Sequence, residues 1–299
     1  MRACFMEAVA KRVLLGDGAM GTMLQQAGLD GGGCGEAWNV DAPEKVTAIQ
    51  CQYADAGSDC LITNSFGASR FRLSLHGEDA RDFELNRAAA LIARGVMGDD
   101  RYVLGDIGPF GGFLEPLGDT TREELLDAFM TQARGLAEGG ADSIIIETMT
   151  SLEELGCAVE AARKVCSLPV IGSLAFDRIL GGGYRTMMGV APAQAARAME
   201  AMGVDVVACN CGTGIGILDH AEIVREFRSV TALPIMAQPN AGQPELLDDR
   251  VVYHETPDRM AASVSVLVDA GAVVVGGCCG TTPEHIRLFR AALDRRAGA

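Results

Sequence analysis

The sequence predicts an α/β protein built as a single (β/α)8 barrel, a TIM barrel with its site at the C-terminal mouth of the strands. Three observations carry this. Short β-branched or aliphatic runs alternate with longer amphipathic stretches eight times along 299 residues, the pattern of parallel strands joined by crossover helices. The apolar runs break at their C-terminal edges into polar, acidic or thiol residues: Asp17, Asn64, Asp106, Glu147, Asn210, Cys211, Asn240, Cys278 and Cys279. In a barrel these ends converge on one mouth. No Pro- or Ser-rich linker, low-complexity tract or shift in composition divides the chain, so residues 1–299 are expected to form one domain.

Taken in order, a short amphipathic helix near the N-terminus leads to a strand at Val13–Leu15, which opens into the glycine-rich Gly16–Gly21. Pro43 starts a helix over Glu44–Ala56. Strands are expected at Cys60–Ile62, Tyr102–Leu104, Ser143–Ile146, Pro169–Leu174, Val204–Ala208, Pro234–Ala237 and in the valine run at Val273–Val275. Between them fall helices over Ala80–Met97, Thr121–Glu138, Ser151–Val165, Ala191–Met202, Asp219–Phe227 and Pro257–Ala270. A closing helix over Pro283–Leu293 follows Thr281-Thr282-Pro283-Glu284, which joins a threonine cap, a first-turn proline and an early acid.

A net charge of −15 argues against nucleic acid or an anionic membrane as partner. No apolar run reaches the roughly 20 residues of a membrane span, and the N-terminus lacks the apolar core of a signal peptide. Ten cysteines at irregular spacing read as reduced thiols in a cytoplasm rather than as a disulfide framework.

Cys211 and the adjacent pair Cys278/Cys279 lie at the ends of the sixth and eighth strands. Three thiols meeting at the mouth would supply three ligands of a tetrahedral Zn²⁺ site, with the fourth position open. Adjacent residues of a pleated strand face opposite ways, so both members of the pair can reach one metal only if the backbone leaves the pleat, which the flanking glycines permit. Three buried thiols acting as small hydrophobes are the other reading of the same pattern. Asp17 and Glu147 end the first and fourth strands. Either could hold a substrate ammonium or act as a base, or serve structurally by accepting N–H groups of a βα loop. Cys209 shares strand parity with Cys211 and is expected to look into the barrel as core. The histidines, His76, His220, His254 and His285, fall away from strand ends, which argues against a His-dependent triad.

The motifs NCGTG (Asn210–Gly214) and GGCCGTTPEH (Gly276–His285) resemble the zinc-site motifs of the homocysteine S-methyltransferases. GDGAMGT, TNSFGASRFRL, GDIGPFG, IIIET and QPNAG, the last at Gln238–Gly242, match as well. The resemblance spans nearly the whole chain and is nearest to the N-terminal homocysteine-binding module of cobalamin-dependent methionine synthases. It implies transfer of a methyl group to the thiol of L-homocysteine, with Zn²⁺ on Cys211, Cys278 and Cys279. It further implies Asp17 and Glu147 on the homocysteine amino group, Gly18 and Ala19 closing their backbone around the substrate, and Asn240 at or near the metal and substrate. The D-x-H-x-x-G cobalamin signature is absent, because Leu218-Asp219-His220-Ala221 lacks the glycine. The methylcobalamin or other methylcorrinoid donor is therefore expected on a partner, a corrinoid protein or module. A small donor such as S-methylmethionine or betaine, or a zinc- or thiol-binding subunit without turnover, remain the alternatives.

Overall fold

The computed structural model describes residues 2–247 and 250–298. Eight parallel strands form one sheet: β1 (Leu14–Leu15), β2 (Cys60–Ile62), β3 (Tyr102–Ile107), β4 (Ser143–Met149), β5 (Val170–Leu174), β6 (Val206–Asn210), β7 (Ile235–Gln238) and β8 (Val274–Val275). Their order around the sheet is β1-β8-β7-β6-β5-β4-β3-β2. β1 and β2 then meet across a seam held partly by side chains. Asp59 N–H donates to the Leu15 carbonyl at 2.7 Å, and the Asp59 carboxylate accepts from Leu15 N–H at 2.8 Å. The Asp17 carboxylate accepts from Ile62 N–H at 2.8 Å. A nearly closed (β/α)8 barrel results.

The strands alternate between two apolar layers, as the pleat requires. Leu14, Cys60, Leu104, Ile145, Ile171 and Val274 pack into the barrel interior. Their neighbours, such as Leu15, Leu61, Val103 and Ile144, pack outward among the helices. The expected N-terminal helix is present at Phe5–Val9. It joins the inner cluster, with Phe5 edge-on to Tyr102 at 5.6 Å between ring centroids.

The eight outer helices are α1 (Pro43–Asp55), α2 (Asp82–Met97), α3 (Arg122–Glu138), α4 (Leu152–Val165), α5 (Pro192–Met202), α6 (Ile217–Arg228), α7 (Pro257–Ala270) and α8 (Pro283–Ala297). Their starts follow local chemistry. Thr121 and Glu124 form a capping box at α3, Ser151 caps two amides of α4, and proline opens α1, α5, α7 and α8. At α8 the third helical residue does the work of a capping acid: Thr282 N–H donates to His285 Nδ1 at 3.1 Å.

Two departures from the sequence reading matter. Cys209 does not look into the barrel; it is buried in the outer cluster with the helices, because Ala208 takes the inward position. The loops at the mouth also carry structure that the periodicity did not disclose: helical turns at Met20–Gln26, Trp38–Asp41 and Arg70–Leu73, and hairpins pairing Asp177–Arg178 with Tyr184–Arg185 and Pro244–Leu247 with Arg250–Tyr253. Among the described residues no helix is long and apolar enough to cross a membrane, and the ten cysteines are free thiols.

Candidate metal and substrate site

β6 ends at Asn210, and the next residue turns sharply. Cys211 has φ +57° and Gly212 φ +98°. A positive φ is costly for a residue with a Cβ and is sustained only where surroundings enforce it. Here Cys211 N–H donates to the Gln238 carbonyl at 3.2 Å. A Cβ on Gly212 would stand 2.1 Å from the Phe176 carbonyl oxygen, so that position admits only glycine. Strand parity would have sent Cys211 outward with Cys209; the left-handed turn takes it out of the pleat.

The second cysteine arm leaves the pleat as well. After β8, Gly277 N–H donates to the Asp17 carbonyl at 2.8 Å and Cys278 N–H to the Pro239 carbonyl at 2.9 Å. A Cβ on Gly277 would meet Thr281 Oγ1 at 2.4 Å, and one on Gly280 (φ +76°) would run into the Tyr253 ring. The glycines thus let three chain segments close on one another.

The sulfurs of Cys211, Cys278 and Cys279 all lie within 4.8 Å of one another, and Cys211 Sγ and Cys279 Sγ are 4.0 Å apart. Three ligands of a tetrahedral ion with bonds of about 2.3 Å sit about 3.8 Å apart. The trio fits such an ion with little movement. Asn240 Nδ2 stands 3.6 Å from Cys211 Sγ and Asn210 Nδ2 3.7 Å from Cys278 Sγ, two polar hydrogens for sulfur charge. Hydrogen bonds from Cys278 and Cys279 hold the Cys211 thiol well below its ordinary pKa, while those two, sharing protons with it, are pushed up. A metal cation binds the thiolate form, so binding one here would release the thiol protons.

Beside the sulfurs lies a cavity of about 380 Å³. Asp17, Glu36, Asp106 and Glu147 line it together with the three cysteines, and none of its described lining residues is basic. One Asp17 oxygen is held by Ile62 N–H, as above, and the other, Oδ1, is buried without a partner. Burial pushes the Asp17 carboxyl up to about 7. Burial, then repulsion from Asp17 and Cys211, pushes Glu147 up to about 8. Gly18 and Ala19 also line the cavity. Ala19 is braced from both sides: its N–H donates to Thr281 Oγ1 at 3.1 Å, and its carbonyl accepts from Tyr53 Oη at 2.8 Å. Asn240 is buried beside Cys211 and is not among the cavity's lining residues; its Oδ1 has no partner.

Asn210 has a linking role that the sequence reading left unassigned. Its Oδ1 accepts from Thr148 N–H at 2.9 Å and Ser173 Oγ at 2.6 Å. Its Nδ2 donates to Thr148 Oγ1 at 2.7 Å and approaches Cys278. Thr148, at φ +59°, follows Glu147 where the β4 register shifts. One buried amide therefore ties the acid at the end of β4 to the thiol after β8. Asn210 opens the NCGTG motif, which was the signal. Glu36, from the loop after β1 and hydrogen-bonded to Gly67 N–H at 2.7 Å, carried no signal because it ends no strand.

The homocysteine S-methyltransferase profile matches residues 14–293. Methionine synthase of Mycobacterium leprae (strain TN) is 35% identical over 306 residues, covering 97% of this chain and 25% of that protein. Methionine synthase of Mycobacterium tuberculosis (strain ATCC 25618 / H37Rv) is 34% identical over 308 residues, covering 96% and 25%. The chain thus spans about a quarter of the length of these relatives. The metallated form of the homocysteine methyltransferase MmuM from Escherichia coli shares the fold, with a TM-score of 0.75 at 22% identity over 94% of this chain and 96% of that one. With its profile match running from β1 into α8, the chain belongs to the homocysteine S-methyltransferase family.

Proposed function

We propose that the chain acts as one barrel domain that transfers a methyl group to the thiol of L-homocysteine, giving methionine, with Zn²⁺ on Cys211, Cys278 and Cys279. The observation that carries this reading is the convergence of three sulfurs at the edge of a cavity walled by acids and free of described basic residues. A soft metal suits the sulfurs, and a cationic amino group suits the wall.

Cys211, Cys278 and Cys279 would hold Zn²⁺, which when bound would favour the thiolate form of the substrate sulfur at neutral pH. A free thiol of pKa about 8.5 is a few per cent thiolate at pH 7, so this gain is about 30-fold, or roughly 2 kcal/mol. Lower basicity takes back part of it. The larger contribution falls to the protein's own groups. Asp17 and Glu147 receive the amino group, and Gly18 and the braced Ala19 close against the substrate. Asn240 steadies the Cys211 sulfur. Fixing the sulfur in line with the methyl group supplies several kcal/mol. The sulfur lone pair forms the new S–C bond as the donor's bond to the methyl carbon breaks. That bond's electron pair stays with the donor, and no general acid is needed.

For the donor we propose a methylcorrinoid carried on a partner protein or module. Leu75, Phe113, Leu117, Leu180, Met187 and Leu218 are exposed, and all lie between a strand and its following outer helix, Leu75 in a 3-10 turn, or, for Leu218, in the first turn of α6. Exposed apolar side chains in the segments that follow the strands suit a large donor. A betaine-type donor is less well served, because Phe66 is the one aromatic side chain among the described cavity-lining residues and a quaternary ammonium calls for an aromatic cage. We place the working protein in the cytoplasm, where ten thiols stay reduced.

The test is methionine formation from homocysteine with methylcobalamin, S-methylmethionine or betaine, with zinc quantified in wild type and Cys211→Ala. Turnover with methylcobalamin alone, lost together with zinc, supports the reading. Turnover with a small donor moves the chain to that alternative. Zinc without turnover from any donor leaves a thiol-binding subunit or a different acceptor thiol.

A further inference from the structure

Asp106 is one of four carboxyl groups in the cavity wall and, with Glu36, which accepts from Gly67 N–H, has no part in the scheme so far. It lies on β3 with the parity of Tyr102 and Leu104, which fill the barrel interior, and so occupies the layer above them at the mouth. Its register partner on β4 is Ile145, also an interior residue, and Glu147 stands two positions further along the same strand. The Asp106 backbone is committed: its N–H donates to Thr63 Oγ1 at 2.9 Å, and its carbonyl accepts from Ser65 Oγ at 2.8 Å. The side chain is not. Asp106 is 2% exposed, and its Oδ1 has no hydrogen-bond partner.

A carboxyl group buried in that way is costly unless a donor arrives from outside the protein. Gln238 Oε1 and Asp17 Oδ1 are likewise buried and unpartnered and line the same cavity. Among the described residues the wall therefore presents acceptors in excess and no cation. A primary ammonium has three N–H donors, and Asp17 and Glu147 account for two. Burial first, then repulsion from Glu147, Glu36 and Asp17, pushes the Asp106 carboxyl well above its ordinary range.

We infer that Asp106 completes a three-carboxyl cage for the substrate's ammonium group and is the residue that makes the site demand an amine on its thiol substrate. This rests on homocysteine as the acceptor. It assigns Asp106 to substrate selection, apart from the sulfur chemistry.

The experiment compares zinc-loaded wild type, Asp106→Asn and Asp106→Ala with L-homocysteine and with 4-mercaptobutanoate, which lacks only the amino group. Direct binding of each thiol is measured alongside KM and kcat. The asparagine variant keeps the shape of the side chain and the alanine variant removes it, so a folding defect in one leaves the other to be read against thermal unfolding. The expected result is a loss of homocysteine affinity of about tenfold or more in both variants. That loss lies in KM more than in kcat, and the affinity for 4-mercaptobutanoate holds or improves, so wild-type discrimination between the two thiols collapses. Wild-type discrimination retained in the variants, or equal losses for both thiols, overturns the assignment. Wild type that binds neither thiol overturns the homocysteine reading itself, and the cage with it.

Discussion

Cys211 and Cys279 lie 68 residues apart in the chain, yet their sulfurs stand 4.0 Å from each other. That distance is twice a disulfide bond and close to the edge of a tetrahedron around Zn²⁺. It results from two local breaks in the pleat, one at a left-handed cysteine and one at a pair of glycines.

Replacing Cys211 by alanine removes one of the three proposed metal ligands. We expect the zinc content, measured by atomic emission after exhaustive dialysis, to fall from about one per chain to well below 0.1. Methyl transfer should fall by more than about 30-fold, because the thiolate gain and the orientation are lost together.

Gly212→Ala places a methyl group against the Phe176 carbonyl oxygen at a residue with φ +98°. Destabilisation of about 1–3 kcal/mol is expected in denaturant unfolding, along with weaker zinc binding as the Cys211 turn relaxes. A variant with unchanged stability and full zinc would show that the turn is not what aims Cys211.

Asp17 and Glu147 titrate near 7 and 8 in the folded chain, against about 4 when unfolded. Within that window the folded state holds protons that the unfolded state has released, so raising the pH destabilises the ligand-free fold. The slope is on the order of 1.4 kcal/mol per pH unit for each group that stays protonated. Unfolding curves from pH 5 to 8 should show this decline, and Asp17→Asn with Glu147→Gln should lessen the slope, leaving the share of Asp106 and Glu154, whose carboxyls burial also pushes up. Homocysteine, whose ammonium favours the ionised carboxylates, should stabilise the protein more at pH 8 than at pH 6.

Asn210→Ala cuts the amide link between Thr148 and Cys278. Because the residue supports both halves of the site, we expect KM for homocysteine to rise and zinc affinity to fall roughly 10- to 100-fold, as for other supports of metal ligands. Competition with a zinc chelator, read alongside steady-state kinetics, checks both. A change confined to one half would contradict the linking role.

Much of this architecture was legible in the sequence because its signals are local. The aliphatic runs at Cys60–Ile62 and Ile144–Ile146, and the helix starts at Thr121, Ser151 and Pro257, mark strand and helix without tertiary context. The thiols and acids at the strand ends were visible for the same reason. Parity failed at Cys209 and Cys211, because a positive φ in a cysteine leaves no trace in residue type. The short helix at Met20–Gln26 and the hairpin at Asp177–Arg185 escaped because they are too short for a period to emerge. Asp106 was visible as a strand end, but its solitude inside the cavity depends on what surrounds it, and Glu36 gave no signal at all.

The measurement that bears most directly on the central claim is zinc K-edge absorption of the purified chain, with and without L-homocysteine. The account predicts one zinc per chain with three sulfurs and one nitrogen or oxygen neighbour, changing to four sulfurs when homocysteine is added. A sulfur count that stays at three with saturating homocysteine, or the absence of bound zinc, would contradict it.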